Sequence, residues 1–167
     1  MPISDYLRGL RSRIGHELVL LPSVAVMVRD AQGRLLLVRN RDDGMWQTVG
    51  GGMDPHEQPA DAAVREAYEE TGLLVEPTRL LGVYAGPAFC LTYPNGDVVA
   101  YVGIAFAARV VGGSERPCDE EVDRTGWFDR EAALALPMAA HTRLLVEDAF
   151  RDPAIALFTA PVWRPEG

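Results

Sequence analysis

A chain of 167 residues, 48% of them apolar, is long enough for one packed domain and too apolar to stay disordered. Its net charge of −8 excludes general binding to a nucleic acid backbone, which needs a basic footprint, but leaves room for a small anionic ligand bridged by a cation. No apolar run approaches the roughly 18 residues of a membrane span, and all sixteen basic residues are arginine, which rules out lysine Schiff-base chemistry and a P-loop lysine.

In chain order, "SDYLRGLRSRIG" predicts a short amphipathic helix, with Ser4 as its N-cap, Gly15 as its stop and Leu7, Leu10 and Ile14 as its apolar stripe. The first residues carry Arg8, Arg11 and Arg13. The apolar stretch after them, Leu18 to Val28, is broken by Pro22 and lacks a small-residue cleavage site, so it reads as a strand in a cytoplasmic protein rather than a signal peptide. Cys90 and Cys118 lack metal-ligand spacing and read as reduced thiols.

"VAVMVRDAQGRLLLVRN" gives two apolar runs around a turn, a hairpin pattern. "MWQTVGGG" is a short strand entering a glycine turn, and "TRLLGVYAG" is another strand. "FCLTYPNGDVVAYVGIAFAARVVGG" gives two strands joined at Pro94 to Asp97. "RTGWF" is a short strand, "DREAALAL" and "MAAHTRLLVEDAF" are helices, and the proline-containing tail has no clear period. The expected class is α+β, one domain with a mixed β-sheet flanked by helices.

The chemistry concentrates between Gly50 and Leu73. Pro59 suits a first helical turn and Gly72 a left-handed C-terminal cap, so the helix should span about Pro59 to Thr71. At roughly 100° per residue, Arg65, Glu66, Glu69 and Glu70 share one face. Ala60, Ala63, Val64, Ala67 and Tyr68 share the other, which is expected to pack on the sheet. A solvated acidic face is one reading. The other is a site for a hard divalent cation, because like charges at helical spacing repel and the preceding glycine turn lets backbone approach a ligand.

Gly51, Glu57 and then Arg65-Glu66-Ala67-x-Glu69-Glu70-x-Gly72-Leu73 resemble the Nudix box, residues 51–73, at every fixed position. The departures are Val49, where proline commonly precedes the double glycine, and Ala67, where a larger aliphatic is usual. The resemblance implies an α/β/α sandwich over residues 1–167 as a single domain, with 1–17 as an N-terminal helical extension that closes the site or builds a dimer interface. It implies hydrolysis of the pyrophosphate of a nucleoside diphosphate linked to another group, with magnesium, or manganese in its place. Glu66, Glu69 and Glu70 would bind the metal, with the Gly51 carbonyl as a further ligand. Arg65 would orient a glutamate, Glu57 would join loop to helix, and Gly72 would be structural. A distant metal-binding or basic glutamate falls at Glu121, six residues before Trp127, or at its neighbour Glu120; box glutamate and loop glutamate both stand as candidates for the general base.

For the substrate, Arg39 and Arg41 are candidates for phosphate contacts, and Tyr84, Phe89 and Tyr93 for stacking on a base, against the plainer reading of strand end and core. His16, His56 and His141 read as structural or surface residues. Pro87, fifteen residues after Gly72, is similar to a proline in some ADP-ribose-hydrolysing relatives. Oxidised nucleoside triphosphates, dinucleoside polyphosphates and nucleotide sugars are the alternatives, and a non-catalytic nucleotide sensor is the competing class. Sensors typically lose a box glutamate, and this chain keeps all of them. The expected partner is a small nucleotide, with neither nucleic acid nor membrane. Family members are often homodimers.

Overall fold

The computed structural model describes residues 4–118 and 121–165. Its elements are helix α1 (Asp5–Ile14), strands β1 (Val19–Arg29), β2 (Leu35–Asn40) and β3 (Trp46–Gly52), and helix α2 (Pro59–Thr71). After them come β4 (Leu73–Tyr84), β5 (Cys90–Thr92), β6 (Val98–Gly113) and β7 (Val122–Phe128), then α3 (Arg130–Ala135) and α4 (Ala140–Arg151). Among the described residues, no helix is long and apolar enough to cross a membrane.

The strands form one mixed sheet in the order β4-β6-β1-β3-β2-β7, with β5 also on β6. β1 runs parallel to β6 from Val19↔Val99 to Arg29↔Arg109, and the other pairings are antiparallel. The turn between β1 and β2 is held by Asp30, whose carboxylate accepts from the Gln32 and Arg34 amides at 3.0 and 2.8 Å. The expected hairpin is therefore present, but its ladder is one pair long, Arg29↔Leu35. Beyond that pair β3 slides between the two strands and pairs with both. This insertion places the glycines of β3 in the middle of the sheet.

Strand periodicity sorts the core into two layers. Val24, Val26, Val28, Leu36 and Val38 point to one face, where Ala62, Ala63 and Ala67 of α2 cover them. Ala25, Met27, Leu35 and Leu37 point to the other, under Leu145, Val146 and Ala149 of α4. Both faces are buried, which is why these strands read as continuous apolar runs. The architecture is the expected α/β/α sandwich.

α1 forms where predicted: the Ser4 hydroxyl accepts from the Leu7 amide at 3.3 Å, Gly15 ends the helix, and no residue of it is fully buried. β4 starts at Leu73, directly after the helix cap, and is longer than the run from Thr78 suggested. The tail makes a single isolated bridge, Leu157 against Gly82 on the edge strand β4.

Candidate active site

β3 delivers the chain to the site through its glycines. Gly50 lies opposite Ala25 of β1 with φ +143, and a Cβ there would stand 2.2 Å from the Val24 carbonyl oxygen. Only glycine fits that approach. Its amide turns toward α2 and donates to Glu70 Oε2 at 2.9 Å. Gly51 sits in the ladder opposite Val24, and Gly52 is the glycine that lines the cleft.

α2 spans the predicted residues, but its faces divide differently from the expectation. Glu66 and Glu70 are buried, 6% and 3% exposed, together with Ala62, Ala63, Ala67 and Thr71. Tyr68, assigned by the helical wheel to the packed side, is 50% exposed. The reason is the size of the packed residues: three alanines let α2 sit close to the sheet, so the glutamates beside them are carried inside. Glu69 remains outward, with 55% of its side chain exposed.

Arg65 answers the crowding of carboxylates. Its Nε and Nη2 donate to Glu57 at 2.8 and 2.9 Å, Nη1 to Glu66 and Glu69 at 2.9 and 3.1 Å, and Nη2 also to the Gly52 carbonyl at 3.0 Å. That is all five guanidinium donors. Glu57 in turn accepts from the Asp54 amide at 3.1 Å, so the loop and helix are joined through one ion pair. The hydrogen bonds from Arg65 hold the Glu57 carboxyl below its usual range and push the guanidinium's own pKa up.

The buried pair behaves oppositely. Burial pushes Glu66 up to about 7, against the pull of Arg65, with Glu69 and Glu121 adding repulsion. Burial also pushes Glu70 well above the usual range, with Glu66 and Glu121 again unfavourable.

Glu121 reaches this cluster because the segment after β6 straps the end of α2. The last carbonyls of a helix lack partners within it. Here Cys118, Arg116 and Ser114 donate their amides to the carbonyls of Glu70, Thr71 and Gly72 at 3.0, 2.8 and 3.2 Å. Gly72 closes the helix in the left-handed conformation, φ +70, and a Cβ on it would stand 2.5 Å from the Ser114 carbonyl oxygen. Glu120 lies outside the described residues.

The structure does not bring the other substrate candidates to this cluster. Arg39 is paired with Asp123 at 2.8 and 2.5 Å. Arg41 contributes its amide to the Glu121 carbonyl at 2.9 Å and does not line the cleft. Tyr84 and Phe89 are buried core residues on the α4 side, the Tyr84 hydroxyl donating to Asp148 at 3.2 Å. A ring packed in that layer has no free face for a base, which corrects the stacking assignment. His56 is exposed in the loop, His16 lies 2.7 Å from Asp97, and burial lowers the pKa of His141 beside Phe89.

A cleft of about 450 Å³ opens on the carboxylates, with Asp54, Arg65, Glu66, Glu69, Glu70, Cys118 and Glu121 along it. Asp54 and Cys118 carried no motif signal; backbone contacts to the box place them here. Among the described residues, no three acidic, histidine or cysteine side chains already form a metal cage. The donor set nonetheless fits a divalent cation by its chemistry. It offers hard oxygens, and burial leaves two of these carboxyls costly to ionise without a positive partner beyond the shared guanidinium. Glu66, Glu70, Glu69 and Glu121 are the residues that would hold it, water and ligand phosphates completing the shell.

Comparison with known proteins identifies the family. The family profile described as NUDIX domain matches residues 19–149. A MutT-like protein of Streptomyces ambofaciens is 36% identical over 98 residues, 59% of this chain and 57% of its own length. The NAD-capped RNA hydrolase NudC of Chromobacterium violaceum is 34% identical over 120 residues, 70% of this chain and 41% of its own. The chain thus spans about half the length of these curated relatives. The crystal structure of the MutT protein from Methanosarcina mazei Go1 superposes with a TM-score of 0.65 at 25% identity, covering 81% of this chain and 96% of that one. The profile match takes in well over half of the residues, every box carboxylate among them, and the chain belongs to the Nudix family.

Proposed function

We propose that the chain hydrolyses the pyrophosphate bond of a nucleoside diphosphate linked to a further group, that magnesium is its metal, with manganese able to substitute, and that an ADP-ribose-like compound is its favoured substrate. The observation that carries this reading is a cleft lined by Glu66 and Glu70, both buried, beside an arginine whose five donors are all engaged. The nucleotide named for the Chromobacterium relative supports the substrate class. Pro87 opens a short 3₁₀ turn away from the cleft, so the preference for ADP-ribose rests on the likeness of that proline alone. Both cysteines are free, which supports a reducing, cytoplasmic compartment. Residues 1–167 act as a single domain, with 1–17 as its extension.

When bound, magnesium supplies charge neutralisation of the diphosphate and a more acidic water. The side chains do the rest. Glu66 and Glu70 would present their oxygens to the cation, Glu70 being held by the Gly50 amide. Arg65 holds Glu66 and Glu69 at set distances and ties them to the loop. Glu69 and Glu121 both line the open cleft, and one of the two takes the proton of the attacking water. The water oxygen bonds to phosphorus as the bridging phosphorus–oxygen bond breaks, and the site works by positioning and charge rather than by a covalent intermediate.

The test is a panel of nucleoside diphosphate derivatives incubated with magnesium, phosphate release being measured after added phosphatase. Release from ADP-ribose above the others is expected. Glu69→Gln and Glu70→Gln should each lower kcat by at least roughly 100-fold, the scale of losing one preorganised electrostatic group. Full activity in both variants rejects the carboxylate assignment. Binding without turnover across the panel would point to a sensor instead.

A further inference from the structure

The cleft extends beyond the carboxylates. Its lining also takes in Tyr6 and Leu7 of α1, Leu21 and Pro22 of β1, and Tyr101 of β6, none of them charged. One cavity therefore combines carboxylates with apolar and aromatic side chains. α1 lies outside residues 19–149, the part shared with the family profile.

α1 buries no residue fully, so packing alone does not fix it over the cleft. A polar latch does. Arg11 donates Nη2 to the Val98 carbonyl at 2.9 Å and Nη1 to those of Gly15 and Glu17 at 3.1 and 2.6 Å. Asp97 Oδ1 stands 2.7 Å from His16 Nδ1 and 3.5 Å from Arg11 Nε, and the Arg11 side chain is only 9% exposed. These contacts tie the C-terminal end of α1 to the turn between β5 and β6. The same turn reaches the core: Tyr93, whose amide donates to the Asp97 carbonyl at 2.9 Å, meets with its own hydroxyl, at 2.7 Å, that of Tyr101, which packs against the layer beneath α4.

We propose that α1 is the specificity wall of the cleft, with Tyr6 holding the nucleobase of the diphosphate substrate and Arg11, His16 and Asp97 acting as positioning residues. The proposal rests on the pyrophosphate reading above and adds where the base lies. A nucleoside diphosphate complements such a lining, with phosphates that a cation would bridge to the carboxylates and a flat ring with two π-faces. Aromatic side chains stack on any base, and each such contact is worth a large factor in affinity. A ribose or acyl group has no such face to offer.

Two ligands that differ only in the base decide it. Binding of AMP and of ribose 5-phosphate, each with magnesium, is measured by calorimetry on the full chain and on Tyr6→Ala, Tyr6→Phe and Asp97→Asn. Tyr6 is 53% exposed, so its truncation leaves the fold intact. Tyr6→Ala should weaken AMP roughly tenfold to 100-fold, the range of one lost stacking contact, leave ribose 5-phosphate unchanged, and raise KM with kcat held. Tyr6→Phe should retain AMP, and Asp97→Asn should weaken it with no touch on the ligand. Equal AMP affinity in wild type and Tyr6→Ala overturns the proposal, as does an equal loss for both ligands. Tyr6-dependent AMP binding in a protein that cleaves no pyrophosphate would sustain this inference and count against the catalytic reading alone.

Discussion

Arg65 is the residue on which the geometry of the cluster converges. A lysine in its place has three donors on a point charge and cannot span Glu57, Glu66, Glu69 and the Gly52 carbonyl together. Arg65→Lys should therefore lower kcat/KM roughly 10–100-fold, the usual cost of removing a group that orients metal ligands. Comparison of steady-state rates at saturating magnesium checks this, and an unchanged rate would mean that the glutamates hold their positions unaided. Glu66 gives a prediction in pH. Its pKa in the folded protein is pushed up to about 7 from an ordinary 4.5. A carboxyl raised on folding binds more protons in the native state across that window. Its contribution is thus most favourable below pH 4.5 and is lost as pH rises through about 7, a change on the order of 3 kcal/mol for the metal-free protein. Denaturant titrations in a chelator at pH 5 and pH 8 should show this fall, and Glu66→Gln should flatten it.

At the scale of the elements, α2 depends on how it ends. Gly72 combines a left-handed conformation with a Ser114 carbonyl oxygen 2.5 Å from where a Cβ would stand. Gly72→Ala should cost more than the roughly 1–2 kcal/mol of the conformation alone, and the 114–118 strap should loosen with it. Thermal unfolding measures the first effect and hydrogen exchange at the Arg116 and Cys118 amides the second. The limits of α2 were legible because Pro59 and Gly72 are local signals. The hairpin of β5 and β6 was legible for the same reason. Burial of Glu66 and Glu70 was not, because a helical wheel treats every charge as outward and takes no account of how closely three alanines let the helix approach. Nor was the insertion of β3 between β1 and β2, since no local pattern reports a partner that arrives later in the chain. Tyr84 and Phe89 illustrate the remaining ambiguity: an aromatic ring in a strand or turn reads alike whether it meets a base or a leucine.

At the scale of the whole molecule, the proposed function makes ion binding and folding draw on the same carboxylates. On that proposal magnesium competes with protons for Glu66, whose pKa is pushed up to about 7, so it should raise Tm more at pH 8 than at pH 5.5. A chelator should return Tm to the metal-free value at both. Scanning calorimetry with and without magnesium reads this directly, and an equal gain at both pH values would place the ion elsewhere.

The parallel pairing of β1 with β6 has a consequence in time. Val19 meets Val99, so the two central strands are 80 residues apart along the chain (99 − 19). Contacts that distant close late, because loop entropy is lost before the pairing returns anything. A nascent polypeptide emerging from the ribosome exposes the glutamate helix and its glycine turn while β6 is still unsynthesised. Chemical competence should then appear abruptly, once β6 and the segment that straps α2 have emerged, rather than grow with chain length.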